Sequence, residues 1–257
     1  RHRSRVRAPR CRSRDYRGGM KEQTTAVTNA GPVPGYLAVP RGDGPWPGVV
    51  VIHEAFGLND DIRTITDRFA AAGYLSFAPD LLARGNRIAC LVSVARSMSS
   101  GEGPAADQIL GVRDWLAQRA DCTGRVGIAG FCLGGGFAIV LANRGFDVSA
   151  VQYGRLPKNL AAAMRGSCPM VASYGGKDSS LKGVADKLET ALAAEGVEHD
   201  VKEYPEAGHS FLNHSESPWW AQPFSKGMHV GYVDTAASDA WQRIMTLFES
   251  SLKSPLG

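Results

Sequence analysis

The sequence lacks any hydrophobic run long enough to cross a membrane. No stretch approaches roughly 18 consecutive apolar residues, so a membrane-spanning helix is excluded. The glycine period of collagen, a sustained heptad repeat and the low apolar content of a disordered chain are absent as well. With 257 residues, 44% of them hydrophobic, the chain can bury about 70% of its unfolded surface without a disulfide or metal staple.

Cysteine is scarce and is not arranged in pairs. The chain has five cysteines, an odd number, and no C-x-x-C pair. This pattern is typical of a reducing compartment rather than of a disulfide framework, so we predict a cytoplasmic protein. The cysteines are Cys11, Cys90, Cys122, Cys132 and Cys168.

The motifs that bind nucleotide cofactors or zinc are also missing. Neither Gly127 nor Gly130 is followed two positions later by a second glycine, as a G-x-G-x-x-G fingerprint requires, and no Gly-Lys-Ser/Thr of a P-loop is present. The fourth residue after His53 is Gly57, so the zinc motif H-E-x-x-H is not formed. The sequence therefore predicts no cofactor and no metal.

Positive charge is concentrated at the start of the chain. Residues 1–19 contain eight Arg and one Asp, a balance of +7, whereas the whole chain has a net charge of +4. Residues 20–257 are therefore mildly acidic at −3, and nothing in them predicts nucleic-acid binding. We expect residues 1–19 to be a basic leader, disordered or non-native, because Met20 reads naturally as a start; a transit peptide or basic binding arm is the alternative.

Short apolar runs alternate with helical patterns along residues 20–257. This alternation predicts an α/β fold with a mainly parallel, doubly wound central sheet and helices on both faces. We find no internal repeat and no interdomain linker, so residues 20–257 are predicted to form a single domain. The predicted strands cover residues 36–39, 48–52, 74–78, 125–130, 148–153, 170–174 and 201–204, and the predicted helices lie near 62–69, 84–103, 109–116, 134–142, 181–192 and 241–248.

The segment from Gly130 to Gly134 carries the strongest chemical signal. Its G-x-C-x-G spacing matches the G-x-S-x-G nucleophile elbow with Cys132 in place of serine, and it lies between a predicted strand and a predicted helix. Side chains at the two glycine positions would collide with neighbouring elements. The turn places the Cys132 sulfur at a helix N-terminus, which favours the thiolate. We predict a nucleophile; a buried, unreactive cysteine is the alternative.

Two later strand ends provide a carboxylate and an imidazole. Asp178 follows the strand at 170–174, and His209 follows the strand at 201–204. The order nucleophile, acid, base is that of α/β-hydrolases. We predict that His209 takes the proton of Cys132 and that Asp178 fixes the tautomer of the ring. Taken alone, Asp178 is explained as a helix N-cap and His209 as a solvated loop residue.

With these segments placed, the sequence resembles the dienelactone hydrolase family of α/β-hydrolases over about residues 32–252. The resemblance implies an α/β-hydrolase fold in which Cys132 is the nucleophile, Asp178 the acid and His209 the base. The shared segments are the loop HEAFG at 53–57, the strand end APDL at 78–81, the elbow GFCLGGG at 130–136, YGGKD at 174–178 and AGHSF at 207–211.

The same resemblance implies further roles around the nucleophile. The backbone N–H groups of Ala55 and Leu133 would form the oxyanion hole, and Glu54 would exchange hydrogen bonds with the resting thiol. Arg84 matches one of two arginines that bind the substrate carboxylate in relatives that cleave dienelactone. Asn213 stands where those relatives have the second arginine, so the chain departs from the pattern for dienelactone itself.

The sequence thus predicts a hydrolase of a small carboxylated or conjugated ester or lactone, of the carboxymethylenebutenolidase type, acting through a thiol ester. The alternatives are an acyl thioesterase with the same triad and a non-catalytic redox-responsive or ligand-binding protein. The expected partner is a small-molecule substrate, with no nucleic acid or membrane, and the expected state is a monomer or weak homodimer. Trp219 and Trp220 either line a pocket near His209 or serve in packing.

Overall fold

The computed structural model describes residues 19–83, 87–214 and 227–253. Every predicted strand and helix has a counterpart within these ranges, and β1 and α5 are additional. The strands are β1 (Lys21–Thr28), β2 (Gly31–Ala38), β3 (Trp46–Ile52), β4 (Leu75–Pro79), β5 (Cys122–Phe131), β6 (Val148–Gln152), β7 (Met170–Gly175) and β8 (His199–Tyr204). The helices are α1 (Asp60–Ala71), α2 (Arg87–Ser100), α3 (Pro104–Ala117), α4 (Leu133–Val140), α5 (Leu160–Met164), α6 (Val184–Ala194) and α7 (Asp234–Leu252), with a 3₁₀ turn at Ser179–Leu181.

The strands form one sheet in the order β1-β2-β4-β3-β5-β6-β7-β8. β1 pairs antiparallel with β2, and β2 pairs antiparallel with β4, whereas all pairs from β4 to β8 are parallel. The prediction of a mainly parallel α/β fold is confirmed. The order reverses at β3, because the chain goes from β3 to β4 on one side and later to β5 on the other. In open α/β sheets, ligands bind at the carboxyl ends of the strands at such a reversal.

Helices pack on both faces of the sheet. The close contacts at two strand glycines, one on each face, show this packing. A Cβ added at Gly48 of β3 would lie 2.8 Å from the Leu116 side chain of α3. A Cβ added at Gly127 of β5 would instead lie 2.9 Å from the Phe248 ring of α7. Because β3 is covered in this way, Val49 to Ile52 are completely buried, which explains its continuous run of apolar residues.

Helix α1 begins with a side-chain cap and carries acidic residues towards the site. Asn59 Oδ1 accepts a 3.0 Å hydrogen bond from the N–H of Ile62, which stabilises the helix start by about 1 kcal/mol. Asp60 and Asp61 occupy the first turn, where the helix dipole favours negative charge. Phe69, at the other end, packs against Trp241 of α7 with ring centroids 4.9 Å apart. The core therefore fixes the position of Asp61.

Candidate active site

Cys132 lies at the apex of a tight turn between β5 and α4. Its φ of 54° is in the left-handed region that a residue with a side chain rarely adopts, so the turn is strained. Two backbone bonds hold it: the Cys132 N–H donates to the carbonyl of Gln152 at 3.0 Å, and its carbonyl accepts from the N–H of Gly136 at 3.2 Å. The thiol is half-buried and sits directly before the first residue of α4, as predicted for an elbow.

The two glycines of the elbow are required by backbone contacts. A Cβ on Gly130 would lie 1.9 Å from the carbonyl oxygen of Gly134. A Cβ on Gly134 would lie 2.2 Å from the carbonyl oxygen of Ile52, at the end of β3. Backbone atoms cannot move aside as a flexible side chain can, so neither position accepts a larger residue without displacing the turn.

His209 and Asp178 are brought together from the ends of β8 and β7. His209 Nδ1 and Asp178 Oδ2 are 2.6 Å apart, and both side chains are buried. Asp178 Oδ1 also caps the 3₁₀ turn by accepting from the N–H of Ser180 at 3.0 Å. One carboxylate oxygen of Asp178 therefore serves as the N-cap, and the other contacts the His209 ring.

The Cys132 thiol lies near the His209 ring. Nε2 is buried and has no hydrogen bond of good geometry to any described residue, although the Cys132 thiol is close enough to influence the ring. Burial lowers the pKa of His209, but the hydrogen bond to Asp178 and the nearby Cys132 thiol outweigh it and raise the pKa to about 10. Burial also raises the pKa of Asp178, and its hydrogen bond to His209 reverses this, so the net pKa is lowered. The site favours an imidazolium held by a carboxylate.

Glu54 is buried beside these residues, not exposed on its loop. Its Oε1 accepts a 2.6 Å hydrogen bond from the hydroxyl of Ser210, the residue after His209. Burial raises the pKa of Glu54, and the Ser210 hydrogen bond and the charge of His209 act in the opposite direction. Ser210 reaches the carboxylate from a left-handed backbone conformation, with φ of 56°. Sequence reasoning missed Ser210; its position next to His209 is the one signal that points to it.

His53 anchors the loop that contains Glu54 and Ala55. The N–H of Leu81 donates to His53 Nε2 at 3.1 Å, so the ring proton is on Nδ1, which donates to the Glu54 carbonyl at 2.6 Å. Burial lowers the pKa of His53 and favours this neutral ring. The loop closes in a turn in which the N–H of Gly57 donates to the same carbonyl at 3.2 Å.

The sequence profile described as "Dienelactone hydrolase family" matches residues 33–252. The chain belongs to this family. A relative from Methylorubrum extorquens named "Putative carboxymethylenebutenolidase" is 31% identical, covering 91% of this chain and 82% of the relative. One of the same name from Yersinia pestis is 30% identical, covering 88% and 86%.

Solved structures agree with this assignment. The crystal structure of a "Putative Dienelactone Hydrolase" from Klebsiella pneumoniae superposes with a TM-score of 0.73 at 25% identity, covering 90% of this chain and 98% of that one. The fold is thus an α/β-hydrolase fold, and this dienelactone hydrolase family member is a carboxylic ester hydrolase.

A chain of polar contacts connects α1 to the loop that contains His209 in this family member. Asn213 Nδ2 donates to Asp61 Oδ2 at 2.6 Å, and Asn213 Oδ1 accepts from the hydroxyl of Tyr153. The other oxygen of Asp61 accepts from the N–H of His214 at 3.2 Å. Tyr153, at the end of β6, is fully buried, and its ring lies 5.1 Å from that of His209. Sequence reasoning missed Tyr153 and Asp61, because neither belongs to a recognised motif.

Several features singled out in the sequence lie outside the described residues: positions 1–18 of the basic leader with Cys11, Arg84, Trp219 and Trp220. Their roles remain predictions. In the ranges that the structure covers, no group of three or more His, Cys, Asp or Glu side chains is arranged to hold a metal ion. No helix in those ranges is long and apolar enough to span a bilayer.

A cavity of about 550 Å³ lies away from this site. It is lined by Met20, by residues 39–46, which lead into the start of β3, and by Ala120 and Asp121, which precede β5. Those are the amino ends of parallel strands, whereas the triad is at the carboxyl ends. Its lining includes no histidine, cysteine or serine, so its size does not make it the reaction site.

Proposed function

We propose that this protein hydrolyses a small ester or lactone through Cys132, with His209 as general base and acid and Asp178 as the group that orients the ring. The observation that carries the proposal is the meeting of three strand ends. The thiol on the elbow after β5 influences a buried imidazole after β8, and that imidazole is fixed at 2.6 Å by a carboxylate after β7. Nucleophile, base and orienting group are the parts that covalent catalysis requires.

In the first half of the reaction, the Cys132 thiolate attacks the carbonyl carbon of the substrate. A C–S bond forms while the carbonyl π electrons move to oxygen, giving a tetrahedral oxyanion. The N–H groups of Ala55 and Leu133 donate to it; neither has an acceptor among the described residues. When the oxyanion collapses, the C–O bond breaks and the leaving alkoxide takes the proton of the His209 imidazolium. In a lactone, the new hydroxyl stays attached to the acyl group.

In the second half, neutral His209 removes a proton from water as the water oxygen attacks the thiol ester. A second tetrahedral oxyanion forms at the same two N–H groups, and its collapse breaks the C–S bond. The products are a carboxylic acid and the thiolate beside an imidazolium, which is the starting state. Asp178 stabilises the imidazolium each time it forms, because its carboxylate faces Nδ1 throughout.

The chemistry of a thiolate suggests the substrate class. Thiolates react best with electron-poor carbonyls, so esters conjugated to a double bond or bearing a good leaving group are the preferred substrates. The relatives' name refers to a carboxymethylene-substituted butenolide, which is a conjugated lactone that also bears a carboxyl group. The sequence predicts a substrate that is either conjugated or carboxylated. The reactivity of a thiolate explains a preference for conjugated esters, but it does not explain a preference for carboxylated ones.

Substitution of the nucleophile tests this proposal. C132A is expected to lower kcat/KM for an activated ester by at least about 10³-fold, because the covalent route is lost. C168A is the matched control: it removes a second half-buried thiol that has no imidazole partner in the described structure, and it should retain activity. Circular dichroism checks that both variants fold. Undiminished turnover by folded C132A would exclude Cys132 as the nucleophile.

We also propose that the protein works in the cytoplasm on a small-molecule substrate, as a monomer or weak homodimer. Cys122, Cys132 and Cys168 are thiols rather than disulfides, which fits a reducing compartment. Sedimentation at several protein concentrations would measure the oligomeric state, and fractionation of the source cells would locate the protein.

A further inference from the structure

Residues 228–231 lie beside the loop that contains His209. The carbonyl of Met228 accepts a 2.8 Å hydrogen bond from the N–H of His209, and the N–H of Gly231 donates to the carbonyl of His209 at 3.3 Å. Both backbone groups of the catalytic histidine are therefore bonded to one four-residue segment. We call residues 228–231 the clamp.

The clamp packs against the His209 loop at backbone distance. A Cβ added at Gly208 would lie 1.9 Å from the carbonyl oxygen of His229 and 2.6 Å from that of Met228. A Cβ added at Gly175, where β7 ends before Asp178, would lie 2.3 Å from the carbonyl oxygen of Gly208. The strand end before the acid, the loop of the base and the clamp thus touch through their backbones. A displacement of the clamp must therefore be passed on to the other two.

The side chain of His229 connects the clamp to the acid as well. Its Nδ1 donates to the carbonyl of Lys177 at 3.1 Å, so the ring proton is on Nδ1. Lys177 directly precedes Asp178, and its own N–H donates to the carbonyl of Ala207 at 2.9 Å. The residue before the acid is therefore bonded both to the loop of the base and to the clamp.

The backbone of His229 is strained. Its φ of 47° lies in the left-handed region, where glycine is the residue that fits without strain. Histidine at this position brings a ring donor that glycine lacks. Strained residues beside an active site are often held there by contacts that serve the site. The bond from the ring to Lys177 is such a contact.

From these contacts, and resting on the proposed function, we infer that His229 is a positioning residue for the acid and the base. The clamp fixes the backbone of His209, and the His229 ring fixes the residue before Asp178, so the 2.6 Å contact between Asp178 Oδ2 and His209 Nδ1 is maintained. The proposed reaction changes the charge of the His209 ring in each half. A rigid support keeps the carboxylate aligned with the ring while that charge changes.

Two substitutions separate the ring of His229 from its backbone conformation. Glycine and asparagine both accept a left-handed φ, but only asparagine keeps a donor near the position of Nδ1. With the activated ester p-nitrophenyl methyl adipate, H229G should lower kcat about five- to tenfold and change KM by less than about twofold, because the acid and base are misplaced while substrate binding is intact. H229N should recover at least about half of the wild-type kcat.

Titration of the His209 ring by NMR adds a readout that a loss of stability alone does not move. The contact with Asp178 helps to raise the pKa of His209 to about 10. H229G should lower this pKa by at least about half a unit. H199A is the matched control, because it removes an imidazole Nδ1 that contacts the Val197 carbonyl at 2.7 Å, and it should change neither kcat nor the titration.

Three results would overturn the inference: wild-type kcat and titration in H229G, no recovery in H229N, or equal effects of H199A and H229G. Circular dichroism checks that each variant folds. If H229G does not fold, H229D replaces it, because aspartate also accepts a left-handed φ but is a carboxylate without a donor. The kcat of H229D should then be lower than that of H229N, and equal values would contradict the role of the ring.

The two proposals fail in different ways. A lowered His209 titration in H229G, together with retained activity of C132A, would remove the proposed nucleophile and leave the clamp in place. An unchanged titration and kcat in H229G, together with inactive C132A, would remove the clamp and leave the nucleophile.

Discussion

Asp178 Oδ2 lies 2.6 Å from His209 Nδ1, across 31 positions of sequence, and this bond determines the charge of the ring. Burial by itself would lower the pKa of His209, yet that pKa is raised to about 10 because Asp178 and Cys132 interact with the ring. D178N removes the carboxylate charge without changing the shape of the side chain. We expect the pKa of His209 to fall by at least one unit and kcat by about 10²- to 10⁴-fold.

Histidine ring resonances, followed by NMR from pH 5 to 11, measure this shift. The wild-type ring should remain protonated well above its ordinary pKa of 6.5, and that of D178N should lose its proton earlier. D186N on α6 is a suitable control, because Asp186 has no described contact with the triad and its loss should not move the titration. A His209 titration that is the same in D178N and the wild type would show that Asp178 does not control the ring.

The elbow glycine Gly134 should resist substitution. In G134A the new Cβ would lie 2.2 Å from the Ile52 carbonyl oxygen, so the turn must shift. Overpacking of this kind costs about 1–3 kcal/mol of unfolding free energy, and the displaced Leu133 N–H should also lower kcat. G227A is the control, since its Cβ would approach only the Ser179 hydroxyl, at 3.2 Å. Urea unfolding and ester kinetics measure both effects; equal stability of the two variants would refute the contact argument.

His53 should matter for catalysis although it does not touch the triad. H53A leaves the N–H of Leu81 without its acceptor in a buried region, which costs about 1–3 kcal/mol. H53A also removes the hydrogen bond to the Glu54 carbonyl, which holds the loop that contains Glu54 and Ala55. Because the Ala55 N–H is then positioned less well, kcat should fall by a larger factor than KM rises. H199A on β8 should change neither quantity by much. A change in stability with unaltered kcat would limit His53 to a structural role.

The sequence predicted the parallel half of the sheet well, for a physical reason. β3 and β5 to β7 are buried on both faces, so their apolar runs are continuous and easily recognised. β1 was missed because it is an exposed edge strand whose side chains are mostly polar, with only Ala26 fully buried. α5 was missed because five residues are too few to show a helical period.

The candidate site was also predicted only in part from the sequence. Cys132, Asp178 and His209 were predicted because each stands in a recognisable segment at a strand end, and the structure brings those ends together. The Glu54–Ser210 and Asp61–Asn213 bonds were not predicted, because their partners lie more than 150 positions apart and only the fold makes them neighbours. Pairing between distant loops has no periodicity that a single sequence can show.

The covalent intermediate gives the most direct test of the central claim. The protein is mixed with excess p-nitrophenyl methyl adipate, quenched in acid during the first turnover, digested and examined by mass spectrometry. We predict one acyl group on the peptide containing Cys132, released by hydroxylamine as a thiol ester is, and absent from C132A. An acyl group on another side chain, such as Ser210, or a full burst of p-nitrophenol with no adduct on Cys132, would contradict the account.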